Sequence, residues 1–248
     1  MKHAAPGWRP DASVGGELAL TALVLAYGAV SQQRIPRRWQ VPANIGAALA
    51  AVLAARAAGA SWEELGLEPG AAADGLLAGG SLAVPAWVAV AVGLALPTTR
   101  RFFADERFAA SSRGELAYDA LVHIPLATAT AEELLFRSAL LGLFLCRRSR
   151  RRAITTTAIA FGLWHVLPAM RSHGANPAQA QLAERVGGRS ATVVSTVAVT
   201  ATAGVGFAWL RLRSRSVFAA IAAHAGINAA ARVGASLARV IDRGSGRG

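Results

Sequence analysis

Long apolar stretches alternate along this chain with short polar gaps. The apolar runs occupy 17–32, 41–58, 75–97, 117–146, 153–170, 190–210 and 216–238. Most reach or approach the roughly 20 residues that carry a helix across a bilayer, so the pattern predicts an all-α, polytopic transmembrane helix bundle of about 6–8 membrane helices. No repeat and no second soluble domain is visible, and 1–248 reads as a single integral-membrane domain with its N-terminal spans in 17–97.

The gaps carry the topological signals. Those at 32–40 and 147–152 are Arg-rich and read as cytoplasmic. Three apolar runs separate them, where an even number of crossings is required. Either one run does not cross, or 117–146 is a bent or re-entrant element plus a crossing. The gap 56–74 holds Glu63, Glu64, Glu68 and Asp74 and is expected on the outer side. Inside it, "SWEELGL" (61–67) has the Ser and Glu of a capping box and reads as a helix N-terminus at the interface, interrupted by Gly66 and Pro69. The gap 98–116 is mixed in charge. The polar gap 171–189 is expected as a loop opposite the Arg-rich ends, and the tail 239–248 is expected to fray. Trp39, Trp62 and Trp209 fall at span edges, where amphipathic rings settle.

Composition agrees with a membrane protein. Apolar residues make up 54% of the chain and charged residues 16%, against about 45–50% and 25% in soluble domains, which leaves too little polar surface for a soluble fold. The net charge of +12 comes largely from Arg in "RIPRR" (34–38), "RRSRRR" (147–152) and "RLRSR" (211–215), all between apolar runs. That placement reads as membrane topology, and with few aromatics among the basic residues it excludes nucleic acid as a partner. The single cysteine, Cys146, makes neither an internal disulfide nor a cysteine zinc cluster and reads as a packed small residue. The first run has no convincing secretory cleavage site and reads as a retained span. The Ala- and Arg-rich composition, without eukaryotic targeting signals, points to a bacterial plasma membrane.

Against this apolar background, "EELLFR" (132–137) places Glu132, Glu133 and Arg137 inside a span. A charge at the bilayer centre costs roughly 2.5–3.5 kcal/mol on insertion scales, so these three need compensation. Glu133 and Arg137 are four apart and can pair on one helix face. Glu132 is turned about 100° away and lacks a local cation, which leaves it free to take a proton. "FGLWH" (161–165) puts His165 in a second span with Phe161 one turn back. "HAGIN" (224–228) puts His224 and Asn228 one turn apart in a third, beside small residues that permit close helix packing. Lipid tolerates none of these groups, so all are expected to face one water-accessible cavity. Each alone reads as readily as packing: a Glu–Arg pair can be structural glue, and a lone span histidine is more often hydrogen-bonded filler. His123 reads as packed, while His3 and His173 lie in polar segments and carry no expected role.

Together, E-E-x-x-x-R, F-x-x-x-H and H-x-x-x-N, in this order, resemble the signature of the CAAX prenyl endoprotease and bacteriocin-processing (ABI) family of intramembrane proteases. The resemblance covers about 117–232. Ser138 stands where many members have Gly. The resemblance implies an all-helical, glutamate-dependent peptidase acting on a membrane protein or peptide, in some relatives a prenylated C-terminus. Carried over, Glu132 activates water with His165, Glu133 and Arg137 support the site, and His224 with Asn228 stabilises the oxyanion. It leaves the metal open: there is no H-E-x-x-H, but Glu132, His165 and His224 form a carboxylate and two imidazoles that suit zinc. A metal-free mechanism is the slightly favoured expectation. The competing readings are a transporter, which ordinarily shows inverted repeats, and a non-catalytic scaffold or immunity protein.

Overall fold

The computed structural model describes residues 14–108 and 111–245; His3 and the last three residues of the tail lie outside these. All regular elements among the described residues are helical, and Leu67 and Ser216 make one isolated bridge. The helices are α1 (Val14–Arg34), α2 (Arg37–Ala57) and α3 (Ala72–Ala95), then a long composite rod α4 over 113–145. There follow α5 (Arg150–Trp164), α6 (Val166–Ser172), α7 (Pro177–Glu184), α8 (Gly188–Ser214) and α9 (Val217–Ser245).

Among the described residues four helical segments are long and apolar enough to cross a membrane: Pro69–Ala95, Arg150–Ser172, Gly188–Ser214 and Val217–Gly244. The helices α1 and α2 each have 21 residues. The rod α4 holds Asp119, Glu132, Glu133 and Arg137. At about 1.5 Å per residue it approaches 50 Å, more than the hydrocarbon core of about 30 Å. Its backbone changes register within the one rod. Arg113–Tyr118 is α-helical, Asp119–Thr130 π-helical, Ala131–Glu133 α-helical, Leu134–Leu140 π-helical and Leu141–Leu145 α-helical. The run 117–146 is thus helical without a break through Leu145, with Pro125 inside its first π-helical segment. Ser112 caps its start, with Ser112 Oγ accepting from Glu115 N at 3.1 Å and Glu115 Oε2 accepting from Ser112 N at 2.7 Å.

Ion pairs fix which loops share an end of the bundle. Glu17 at the start of α1 pairs with Arg148, so the 147–152 cluster lies at the end where α1 begins. At the far end of α1, Arg37 pairs with Asp119 and Arg171 donates to Gln32 O. The Arg-rich loops 32–40 and 147–152 thus occupy opposite ends, which corrects the expectation that both are cytoplasmic and removes the parity conflict. The acidic gap is corrected too. Arg215 pairs with Glu63 and Glu68, and Val217 N donates to Gly66 O at 2.8 Å, which places this gap beside 211–215 and not across the membrane from it. The segment 171–189 sits at the other end, and it is largely helical. Asn176 Oδ1 accepts from Gln179 N at 3.0 Å and Pro177 opens α7, a favourable cap and first residue. The tail is helical through Ser245.

In "SWEELGL" both capping-box hydrogen bonds form, Glu64 N to Ser61 Oγ at 3.1 Å and Ser61 N to Glu64 Oε2 at 2.7 Å. The helix they announce does not continue: Gly66 has φ +68° and turns the chain, while Leu65 is drawn wholly into the core. Arg211 donates to Glu63 O and Glu64 O and holds the turn there.

Small residues set the helix spacing. A β-carbon on Gly79 of α3 would strike Ala219 O of α9, and one on Gly226 would strike Ala83. Likewise one on Gly162 of α5 would lie 2.9 Å from Val197 O of α8. The core is built on α4, where Leu135, Phe136, Leu140, Leu141 and Phe144 pack with Val52, Leu65, Phe161 and Trp164. Leu77, Val84 and Val88 of α3 and Val194 and Val199 of α8 are exposed, the apolar outer faces expected where the solvent is lipid.

Candidate active site

The short α-helical turn Ala131–Glu133 interrupts the π-helical rod where the two glutamates sit. Their side chains diverge, Glu132 toward α5 and Glu133 toward α9. Both are buried, Glu133 completely, as is Arg137 at 1% exposure. Glu133 Oε2 pairs with Arg137 Nε at 3.2 Å, and Glu133 Oε1 accepts from His224 Nδ1 at 2.8 Å. Arg137 lies 4.0 Å over the ring of Phe161. The ion pair anticipated from the four-residue spacing is present, and His224 is its further partner.

The regular helical hydrogen bonding is interrupted at His165, where His165 N donates to Gly162 O. There α5 stops, with φ −89° and ψ 0°, and α6 begins one residue later. The ring caps its own helix: His165 Nδ1 is 2.8 Å from Phe161 O, and since a carbonyl only accepts, Nδ1 carries the proton. The neighbouring Trp164 O accepts from Gln32 Nε2 at 3.5 Å. His165 Nε2 is thereby left for other chemistry.

Glu132 is the point of convergence. Its Oε1 accepts from the indole Nε1 of Trp164 at 3.1 Å. Its Oε2 is buried, receives no hydrogen bond from the described residues, and lies 4.0 Å from Nε2 of His165 and 4.0 Å from Nε2 of His224. Three spans thus bring the carboxylate and both imidazoles together. Asn228, one turn beyond His224, is half-buried and makes no side-chain hydrogen bond among the described residues. Phe207 of α8 stacks on His224 at 5.1 Å and 16°, while Phe161 meets His165 edge-on at 4.7 Å. Ser138 is fully buried, its hydroxyl without a protein partner.

Two members of this arrangement have no signal in the sequence beyond residue type. Trp164 lies within "FGLWH", but a mid-span tryptophan reads as apolar packing until its indole is seen to hold a carboxylate. Phe207 is one apolar residue among many. The other two described histidines stand apart, His123 hydrogen-bonded to Gln40 at 2.8 Å and His173 held between Thr192 and Glu184.

Residues 116–230 match the family model of the Rce1-like type II CAAX prenyl endopeptidases. The matched stretch spans Glu132, Glu133, Arg137, His165, His224 and Asn228, and with the four apolar helices the match supports an integral membrane protein. No curated protein and no solved structure matches the chain.

The site offers a zinc-compatible donor set in type, one carboxylate oxygen and two imidazole nitrogens. Ligands 2.0–2.1 Å from a tetrahedral zinc lie roughly 3.3 Å apart. The 4.0 Å separations at Glu132 Oε2 are wider, and among the described residues no three His, Cys, Asp or Glu side chains are grouped to hold a metal. A separation of 4.0 Å does suit a water bridging two polar atoms at ordinary hydrogen-bond lengths.

Proposed function

We propose that the Rce1-like region is an intramembrane endopeptidase in which Glu132 and His165 activate water against a peptide bond of a membrane-associated, lipidated substrate. The observation that carries this reading is the unpartnered Glu132 Oε2 between two imidazole nitrogens. A water in that gap donates to Glu132 Oε2 and His165 Nε2. As its oxygen bonds to the scissile carbon, Glu132 takes the proton and later delivers it to the leaving amine. Trp164 keeps Oε1 occupied, so Oε2 is the oxygen that faces the water. His224, protonated on both nitrogens with Glu133 as its counter-ion, donates from Nε2 to the developing oxyanion, and the Asn228 amide adds a second donor. Glu133 and Arg137 hold that imidazole in place. The chemistry proceeds on these side chains without a metal, in a bacterial plasma membrane.

Glu132→Gln keeps the shape and the indole hydrogen bond but removes the base. In nanodiscs carrying the purified protein, turnover of an S-farnesylated C-terminal peptide is expected to fall by about 10²–10⁴-fold while peptide binding persists. Chelation with EDTA or 1,10-phenanthroline is expected to leave turnover intact. Comparison of membrane-protein termini between cells carrying wild type and the variant identifies natural substrates. Retained cleavage by Glu132→Gln would remove Glu132 from its role, and absence of cleavage in both forms would favour a non-catalytic scaffold.

A further inference from the structure

A second charged cluster lies on the same pair of helices as the site. Asp119 of α4 and Arg232 of α9 are both buried, at 5% and 4% exposure. Arg232 donates from Nε to Asp119 Oδ2 at 2.9 Å, and Arg37 pairs with Asp119 Oδ1. Two guanidinium groups therefore share one carboxylate. Among the described residues Arg232 Nη1 and Nη2 are buried with no partner, while the ring of Phe108 covers the guanidinium face at 4.0 Å. With its face stacked and its Nε taken by Asp119, the Nη1–Nη2 edge remains, the edge that grips a carboxylate through two parallel hydrogen bonds. Arg137 also has unpartnered terminal nitrogens, but there Glu132 and Glu133 already face Arg137 and His224 within the catalytic group. Glu115 and Asp105 also lie near enough to act on the charge of Arg232, yet among the described residues no acidic oxygen hydrogen-bonds its Nη1–Nη2 edge, and that open edge fits a further anion.

Position identifies that anion. His224, Asn228 and Arg232 recur every four residues along α9, and Arg232 lies about 12 Å of helix rise from His224. In a C-terminal Cys-a-a-X sequence, any bond on the carboxyl side of the cysteine lies at most three residues from the chain end, about 10–11 Å when extended. We infer that Arg232, positioned by Asp119 and Arg37, binds the terminal carboxylate of the substrate and so measures the distance from the scissile bond to the chain end. This rests on the endopeptidase reading above, with the substrate lying along α9 from His224 to Arg232.

The test compares S-farnesylated peptides ending in a free carboxylate with the same peptides ending in a carboxamide. Binding and turnover are measured separately, in nanodiscs, for wild type, Arg232→Met and Arg232→Lys. Wild type is expected to prefer the acid by about tenfold or more, as for a lost hydrogen bond to a charged group. Arg232→Met is expected to bring the acid-to-amide ratio close to one, and Arg232→Lys to restore part of it. A general folding defect would lower both peptides and leave the ratio in place. A wild-type ratio near one overturns the inference even where the variants do not fold, and so does a ratio that survives Arg232→Met. Absent turnover with an Arg232-dependent preference in binding retains the inference and removes the endopeptidase reading. If no acid preference is seen and Arg232 instead governs retention of phosphatidylglycerol over phosphatidylcholine, the anion is a lipid phosphate and the peptide assignment falls.

Discussion

The two oxygens of Glu132 are treated differently by their surroundings, one tied to the Trp164 indole and the other facing two imidazoles. Trp164→Phe removes the tie without emptying the space. A hydrogen bond to a charged group contributes about 1.5–3 kcal/mol, so kcat is expected to fall about 10–100-fold with KM little changed. A comparable rise in KM would make Trp164 a substrate contact. The neighbouring glutamate should behave otherwise. Glu133 is fully buried between Arg137 and His224. Glu133→Ala leaves an unpaired buried cation at a cost of about 3–5 kcal/mol, expected as a fall of about 10 °C in the melting temperature in detergent, whereas Glu132→Gln melts near wild type. Equal losses in the two variants would refute this division. The Glu133–Arg137 pair was legible because helical geometry makes it local. The link from His224 to both glutamates joins residues far apart in sequence, and no local spacing reveals it.

Among the elements, hydropathy located the apolar runs well and their internal form poorly. The run 117–146 becomes one rod because apolar composition is silent about whether backbone bonds close at four residues or five. The "SWEELGL" turn shows local and tertiary preferences in conflict. Its capping box forms as read, but Leu65 and Gly66 answer to packing against α4 and Arg211 instead. A β-carbon on Gly142 of α4 would lie 2.8 Å from Glu64 O. Gly142→Val is therefore expected to expel the turn and destabilise the protein by about 1–3 kcal/mol, seen as a lower melting temperature in detergent. An unchanged melt would mean that the turn contributes little to the fold.

For the molecule as a whole, the membrane class could be read from composition and the orientation could not. Arginines sit at both ends, Arg37 and Arg38 at one and Arg147 to Arg152 at the other, so loop charge gives no clear asymmetry. The ion pairs supply what charge counting lacked. In a Cys146→Ala background, cysteines placed at Glu63 and Arg150 are expected to react with a membrane-impermeant maleimide from one side of the cell membrane. Cysteines at Arg38 and Arg185 are expected to react only from the other. Labelling of Arg38 and Arg150 positions from the same side would overturn this arrangement.

The helix stop at His165 ties folding to reactivity in one side chain. Because the imidazole serves its own helix end through Nδ1, the tautomer that exposes the basic nitrogen is selected as the chain folds, before any substrate arrives. Replacing that ring removes a reagent and unplugs a carbonyl in hydrocarbon at the same time. Evolution toward a silent relative would meet less resistance at Glu132, whose loss disturbs no backbone.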